Sequence, residues 1–302
     1  VTGVTDFSDD ELAVLPEFTF LYENAEQAGV TERLPAVERI EDGPISALRW
    51  GGGPSRVVFL HGGGQNAHTW DTVIIGLGER ALAVDLPGHG RSAWRDDGDY
   101  GPKQNALTLE PVLRALAPEA ELVVGMSLGG LTAIRLAVTA PELVPELVLV
   151  DVTPSAPRRH TEMSDEDKGT VALVQGERTF PSFKAMLDVT IAAAPKRDRE
   201  SLARGVFHNS TRLHDRSWTW RYDSIRRGEG FEGLWDDVPA LTTPTLLVRG
   251  ADSVFVNDED AEEFARTAPG FRGVRIVENS GHSVQSDQPR ALVGILREVL
   301  DG

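Results

Sequence analysis

Ser127 stands in Gly125-Met126-Ser127-Leu128-Gly129-Gly130, between the apolar run 122–124 and a second run holding Leu131, Ile134, Leu136 and Ala137. A serine hydroxyl is a weak nucleophile until a base removes its proton. A sharp strand-to-helix turn flanked by glycines pushes such a hydroxyl outward, and the N–H groups opening the helix face negative charge formed beside it. Imidazole is the natural base, since it titrates near neutrality. Of the seven histidines, only His282 lies in a loop after a late apolar run, in Asn279-Ser280-Gly281-His282. The base needs a carboxylate to fix its tautomer. Asp252 follows an apolar run directly, in Arg249-Gly250-Ala251-Asp252-Ser253, and Asp151 does so one run earlier. The order Ser127, Asp252, His282 fits nucleophile, acid and base, so Asp252 is the expected partner and Asp151 its rival. Charge developing on an attacked carbonyl oxygen needs two N–H donors. Leu128 supplies one, and Gly63 in His61-Gly62-Gly63-Gly64 is expected to supply the other, with Gly64 the alternative. His61 is read as an orienting or packing residue and not as a second base.

These residues lie at the ends of short apolar runs, and the runs alternate with helical patterns. Strands are predicted near 37–40, 45–50, 56–60, 81–84, 122–124, 146–150, 245–249 and 274–277. Helices are predicted at 67–77, 105–116, after Ser127, at 259–266 and at 290–300. Such alternation indicates a parallel sheet covered on both faces, and ligands bind at the carboxyl edge of its strands. The rhythm stops across 154–239, a charged, aromatic stretch read as a helical cap inserted after the sixth core strand. Residues 1–36 read as a helical arm, with Ser8 and Glu11 forming a capping box and Pro16 interrupting the helix. The core is then 37–153 and 240–302.

The set His61-Gly62-Gly63-Gly64, Asp85-Leu86-Pro87-Gly88-His89-Gly90-Arg91-Ser92, Gly-Met-Ser-Leu-Gly-Gly, Gly-Ala-Asp-Ser and Ser-Gly-His resembles the α/β-hydrolase superfamily. The likeness runs from about residue 37 to the C-terminus. It is nearest the capped esterases, lactonases and carbon–carbon bond hydrolases. The resemblance implies an eight-stranded α/β sheet, mostly parallel, with helices on both faces, a helical cap, no cofactor and no metal. It also implies that Asp85 belongs to a structural turn. Dehalogenases and epoxide hydrolases of this superfamily attack with aspartate, whereas this chain has Ser127, so an acyl-enzyme is expected. A carbon–carbon hydrolase, a related synthase, or a non-catalytic receptor of the same fold are the alternative readings.

The 302 residues carry a formal charge of -17, 40% hydrophobic and 25% charged residues, and no cysteine. Charge repulsion argues against nucleic acid and anionic membranes as partners. The opening VTGVTDFSDDELAVL does not read as a secretory signal, and no apolar stretch approaches spanning length, so a cytoplasmic location is expected. The aromatic cap suggests a small-molecule ester or lactone with a bulky apolar part. Gly64, Thr153, Trp218, Trp220 and Phe255 are the expected substrate contacts. Trp218 and Trp220 share a side only if their segment is extended. Arg158-Arg159 and Arg226-Arg227 are read as solvated. A homo-oligomer through the arm or cap is compatible with the sequence.

Overall fold

The computed structural model describes residues 3–31, 33–224 and 230–302, so Arg226 and Arg227 lie outside the described residues. The arm holds α1 (Asp9–Leu12) and α2 (Leu21–Ala28). There follow β1 (Val37–Asp42), β2 (Ile45–Trp50), β3 (Val57–Leu60), α3 (Asp71–Leu77), β4 (Ala81–Val84), α4 (Pro102–Leu116), β5 (Leu122–Met126), α5 (Leu128–Thr139) and β6 (Leu147–Val150). The insertion contains α6 (Ala156–Glu162), α7 (Asp165–Lys168), β7 (Thr179–Phe180), α8 (Phe183–Ala193), α9 (Arg199–His208), β8 (Ser210–Arg212) and β9 (Trp218–Trp220). The chain closes with β10 (Thr245–Gly250), α10 (Asp258–Thr267), β11 (Phe271–Val277), α11 (Val284–Asp287) and α12 (Pro289–Asp301).

Eight strands form one sheet in the order β1-β2-β4-β3-β5-β6-β10-β11. β1 and β2 pair antiparallel, as do β2 and β4, and the other pairings are parallel. Every residue of β3, β4, β5 and β6 is buried, which explains why these strands are apolar without alternation. One core lies on each face of the sheet: Leu109, Leu113, Leu131 and Ile134 pack on one side, Trp70, Ile74, Leu292 and Leu296 on the other. Because β3, β5, β6, β10 and β11 run parallel, the loops after them open on a single edge.

To its helices the insertion adds a three-stranded antiparallel sheet, β7-β9-β8, which the helical reading of 154–239 did not anticipate. The segment 218–220 is therefore extended, yet its two tryptophans serve different surroundings, as described below. The arm is built into this cap. Val4, Leu12 and Phe20 join Phe180, Phe183, Met186 and Trp218 in a third apolar core. Phe20 is 1% exposed and meets Phe207 edge-to-face at 5.0 Å. Burying a phenylalanine this fully contributes roughly 2–3 kcal/mol. The Trp218 indole N–H donates to Asp9 Oδ2 at 2.9 Å, and Ser8 caps α1 through the expected box with Glu11. Arg158 and Arg159 are not merely solvated: both bind the buried carboxylate of Asp260, at 2.8 and 2.7 Å, tying α6 to α10. Among the described residues, no helix is long and apolar enough to cross a membrane.

Candidate active site

The turn after β5 holds Ser127 at φ 49° and ψ −118°, a region that L-residues rarely occupy. It exists because strand and helix touch there. A Cβ on Gly125 would lie 2.6 Å from the Gly130 Cα, and one on Gly129 would lie 2.3 Å from the Leu60 carbonyl oxygen. Neither position has room for a side chain. Leu128 opens α5, so its N–H lies outside the helix's own hydrogen bonding.

The glycine loop after β3 is held from behind by His61, which is completely buried. The Leu86 N–H donates to His61 Nε2 at 2.9 Å, so the ring proton sits on Nδ1 and is donated to the Gly62 carbonyl at 2.8 Å. Burial, together with the nearby His89 ring, pushes the His61 pKa down to about 3, so the ring stays neutral. Its orienting role follows from those two bonds. The Gly62 N–H is taken by Gln65 Oε1 at 3.0 Å. Gly63 and Gly64 line the cavity above Ser127. Asp85 accepts from the Ala67 N–H at 2.7 Å and the Arg91 N–H at 3.0 Å, and it pairs with Arg39 at 2.8 Å. It is a buried clamp between loops.

The imidazole of His282 reaches Asp151, not Asp252. Nδ1 lies 2.7 Å from Asp151 Oδ2, and that carboxylate also accepts from the Gly250 N–H at 3.1 Å and from the Ser253 hydroxyl at 2.5 Å. Asp151 is fully buried and held at φ 53°. Asp252 is solvent-exposed, and its backbone N–H donates to the Ser280 carbonyl at 2.9 Å. The expectation for Asp252 is thus corrected. Chain order fits either acid, but β6 adjoins β5, the strand that carries Ser127, so an imidazole brought toward that serine meets the end of β6. Ser253 turns inward to Asp151 while its neighbour points to water.

With its Nδ1 proton directed at Asp151, His282 presents a lone pair at Nε2, which is buried and has no hydrogen-bond partner among the described residues. Phe255 stacks on the ring, with centroids 3.6 Å apart and planes 10° from parallel. Ser127, Gly63, Leu128, His282 and Phe255 all line one cavity of about 470 Å³, roofed by the cap. Trp220 lines it as well, at 4% exposure. Two expected contacts stand elsewhere. Trp218 is packed in the seam between arm and cap, and Thr153 uses its hydroxyl to accept from the Ser155 N–H at 3.3 Å. Gly64 is at the wall, where its carbonyl accepts from the Asn209 side chain at 2.5 Å.

A second histidine–carboxylate group also borders the cavity, and no sequence pattern announced it. His68 Nδ1 lies 2.8 Å from Asp71 and Nε2 lies 3.0 Å from Glu17, while His208 stacks on the ring at 3.7 Å. Burial alone would lower the His68 pKa, but the two carboxylates outweigh it and hold the group near 9. Burial then keeps His208 well below the usual histidine range, helped by the His68 charge. Among the described residues, His68, Asp71 and His208 are the one group whose ligand atoms, within 4.8 Å of one another, have metal-binding types. Both His68 nitrogens are already taken by carboxylates, so the arrangement reads as a buried charge network.

A model of the alpha/beta hydrolase family matches residues 57–295, nearly the whole core and cap. The chain belongs to the α/β-hydrolase family. Among its relatives, this α/β hydrolase is 70% identical to Esterase Rv0045c of Mycobacterium tuberculosis over 294 residues, which cover 97% of this chain and 99% of that protein. A solved structure of that esterase matches with a TM-score of 0.89 over 96% of this chain and all of the other. A 2-hydroxy-6-oxononadienedioate/2-hydroxy-6-oxononatrienedioate hydrolase of Pseudomonas sp is 29% identical over 243 residues, 76% of this α/β hydrolase and 82% of that enzyme. The structure of E-2-(acetamidomethylene)succinate hydrolase, at 23% identity, shares the fold with a TM-score of 0.74 over 89% of this chain and all of the other.

Proposed function

We propose that this α/β hydrolase is a serine esterase that cleaves a carboxylic ester or lactone through an acyl-enzyme. His282 Nε2 takes the Ser127 proton as the hydroxyl oxygen bonds to the carbonyl carbon. The N–H groups of Gly63 and Leu128 hold the resulting oxyanion. Collapse of the tetrahedral species breaks the bond to the alcohol, and His282 returns the proton to that leaving oxygen. Water then attacks the acyl-enzyme by the same route and releases the acid. Asp151 keeps the tautomer and stabilises the imidazolium. The observation that carries this reading is a histidine anchored to a buried carboxylate through one nitrogen, its other nitrogen without a partner among the described residues, in one cavity with a strained serine. The similarity to the M. tuberculosis esterase supports it. The apolar wall, with Leu131, Leu202, Trp220 and Tyr222, suits a bulky apolar substituent.

An organofluorophosphonate is expected to label Ser127 once, and Ser127→Ala to lose esterase activity by about 10⁴-fold or more. Labelling of another residue, or full activity in the variant, overturns the reading. The similarity to the Pseudomonas enzyme favours one second reading, hydrolysis of a carbon–carbon bond in a vinylogous diketone by the same residues. Diketone turnover far above ester and lactone turnover would select it.

A further inference from the structure

The chain carries a formal charge of -17, yet the cavity wall is lined by cations. Arg197, Arg204 and His68 border it, against a single carboxylate among the described residues, that of the exposed Glu232. Arg197 is paired with Asp287 at 3.0 Å, and His68 lies between two carboxylates. Arg204 differs. It is 8% exposed, and among the described residues its one side-chain hydrogen bond runs to the amide oxygen of Gln27. Among the described residues it forms no ion pair, although Asp198, Glu23, Glu200 and Asp71 act on it from a distance. A buried guanidinium without a contacting carboxylate is costly unless something completes it.

Gln285 borders the same cavity and is 0% exposed, and among the described residues neither heteroatom of its side-chain amide has a hydrogen-bond partner. It lies in α11, three residues beyond His282. His208 Nε2 is buried without a partner as well. Asn24 of the arm closes this side of the wall. The Gln285 amide donor and the Arg204 guanidinium, which line one cavity, together describe a site for an anion that brings its own acceptors. A planar carboxylate matches the fork of an arginine.

We infer that the arm-and-cap side of the cavity is a carboxylate subsite, in which Arg204 and the Gln285 amide hold a free carboxylate of the substrate while its ester carbonyl lies at Ser127. This rests on the esterase reading and narrows it to esters with an apolar stretch ending in a carboxylate, such as monoesters of medium-chain dicarboxylic acids. The chain's net charge repels anions in general, so a guanidinium left without a contacting carboxylate inside the cavity is a local construction and not a by-product of composition.

The test compares aryl esters of hexanoic to octanoic acid with aryl monoesters of dicarboxylic acids of the same length, and acetate esters of alkanols with those of ω-hydroxy acids. The wild-type enzyme is expected to favour the carboxylate member of at least one series by about tenfold or more in kcat/KM. Arg204→Met is expected to erase that ratio, and Arg204→Lys to retain part of it. Equal turnover of both members in both series overturns the subsite and leaves the esterase standing. Calorimetry on the wild-type protein decides independently of turnover. Octanoate binding tighter than 1-octanol, with the gap closed in Arg204→Met and narrowed in Gln285→Leu, supports the subsite. Equal binding overturns it, even if no ester is hydrolysed and the esterase reading fails. Should Arg204→Met not fold, the wild-type ratios and Gln285→Leu carry the decision.

Discussion

Two histidine–aspartate pairs border one cavity, and they are built alike. In each, Nδ1 meets a buried carboxylate, at 2.7 Å for His282–Asp151 and 2.8 Å for His68–Asp71. In each, a second ring stacks on the imidazole, Phe255 at 3.6 Å and His208 at 3.7 Å. The difference lies at Nε2. That of His282 has no partner among the described residues, whereas that of His68 is bound by Glu17. A histidine clamped by two carboxylates holds its proton too tightly to act as a base near neutrality. One clamped by a single carboxylate keeps a lone pair for use. A histidine–carboxylate contact is therefore no mark of catalysis until the other nitrogen has been accounted for.

The largest expected effect breaks the first pair. Asp151→Asn is expected to lower kcat by about 10⁴-fold, because the amide no longer selects the tautomer that leaves Nε2 free. Asp252→Asn, at the exposed position, is expected to stay within about threefold of wild type, as surface substitutions do. Steady-state kinetics on one ester substrate checks both. The reverse order of effects would return the role to Asp252.

Breaking the second pair is expected to cost stability and not chemistry. Asp71→Asn leaves a buried imidazolium with half its compensation, a loss of roughly 3–5 kcal/mol by chemical denaturation. At temperatures where the variant is folded, its kcat is expected to stay near wild type. A collapse of kcat in a folded Asp71→Asn protein would show that the two pairs are not separate in function.

The same contrast has a pH signature. The folded pKa of His68 is raised from the ordinary 6.5 to about 9. Its contribution to stability is fully present below about pH 6.5 and is lost as pH rises through 9. The groups facing it are Asp71, Glu17, Arg39 and the stacked His208. His61, His89 and His208 are shifted the other way by burial, to about 3, to about 4 and well below the usual range. Their contribution is present above pH 6.5 and is lost as pH falls toward those values. Stability measured by calorimetry is expected to peak near pH 6.5. The alkaline decline is expected to shrink in Glu17→Gln, and an unchanged decline there would remove His68 as its source.

The first pair was half legible in the sequence, and the second was not legible. Ser127 and His282 are announced by local patterns: glycines crowding a strand-to-helix junction, and a loop histidine after a late strand. Strands buried on both faces are apolar throughout, so the four central ones, β3 to β6, could be read from composition. The partner of His282 depends on which way a loop side chain points. Ser253 and the Gly250 N–H settle that by gathering on Asp151, an arrangement 99 and 102 residues apart in the chain. The second pair draws Glu17 from the arm across 51 residues to His68, and His208 from the cap. No periodicity or spacing encodes such a meeting. Trp218 was misplaced for a related reason. An extended segment sets which side a residue takes, but not that the arm already occupies the space beyond it.

The smallest expected effect concerns the stacked rings. Phe255 restrains His282 from the face that its hydrogen bond to Asp151 leaves free. A ring fixed by one bond can still swing about it, and misplacing Nε2 lowers the rate without weakening substrate binding in proportion. Phe255→Leu is expected to reduce kcat about three- to tenfold with a smaller change in KM, and Phe255→Tyr to restore most of the loss. A purely apolar role in substrate binding would instead move KM and leave kcat in place. His208→Leu, the matching substitution on the second pair, is expected to leave kcat unmoved, because His68 is already held at both nitrogens. Equal losses of kcat in the two leucine variants would mean that stacking serves the cavity as a whole, and not the one imidazole that has a nitrogen free.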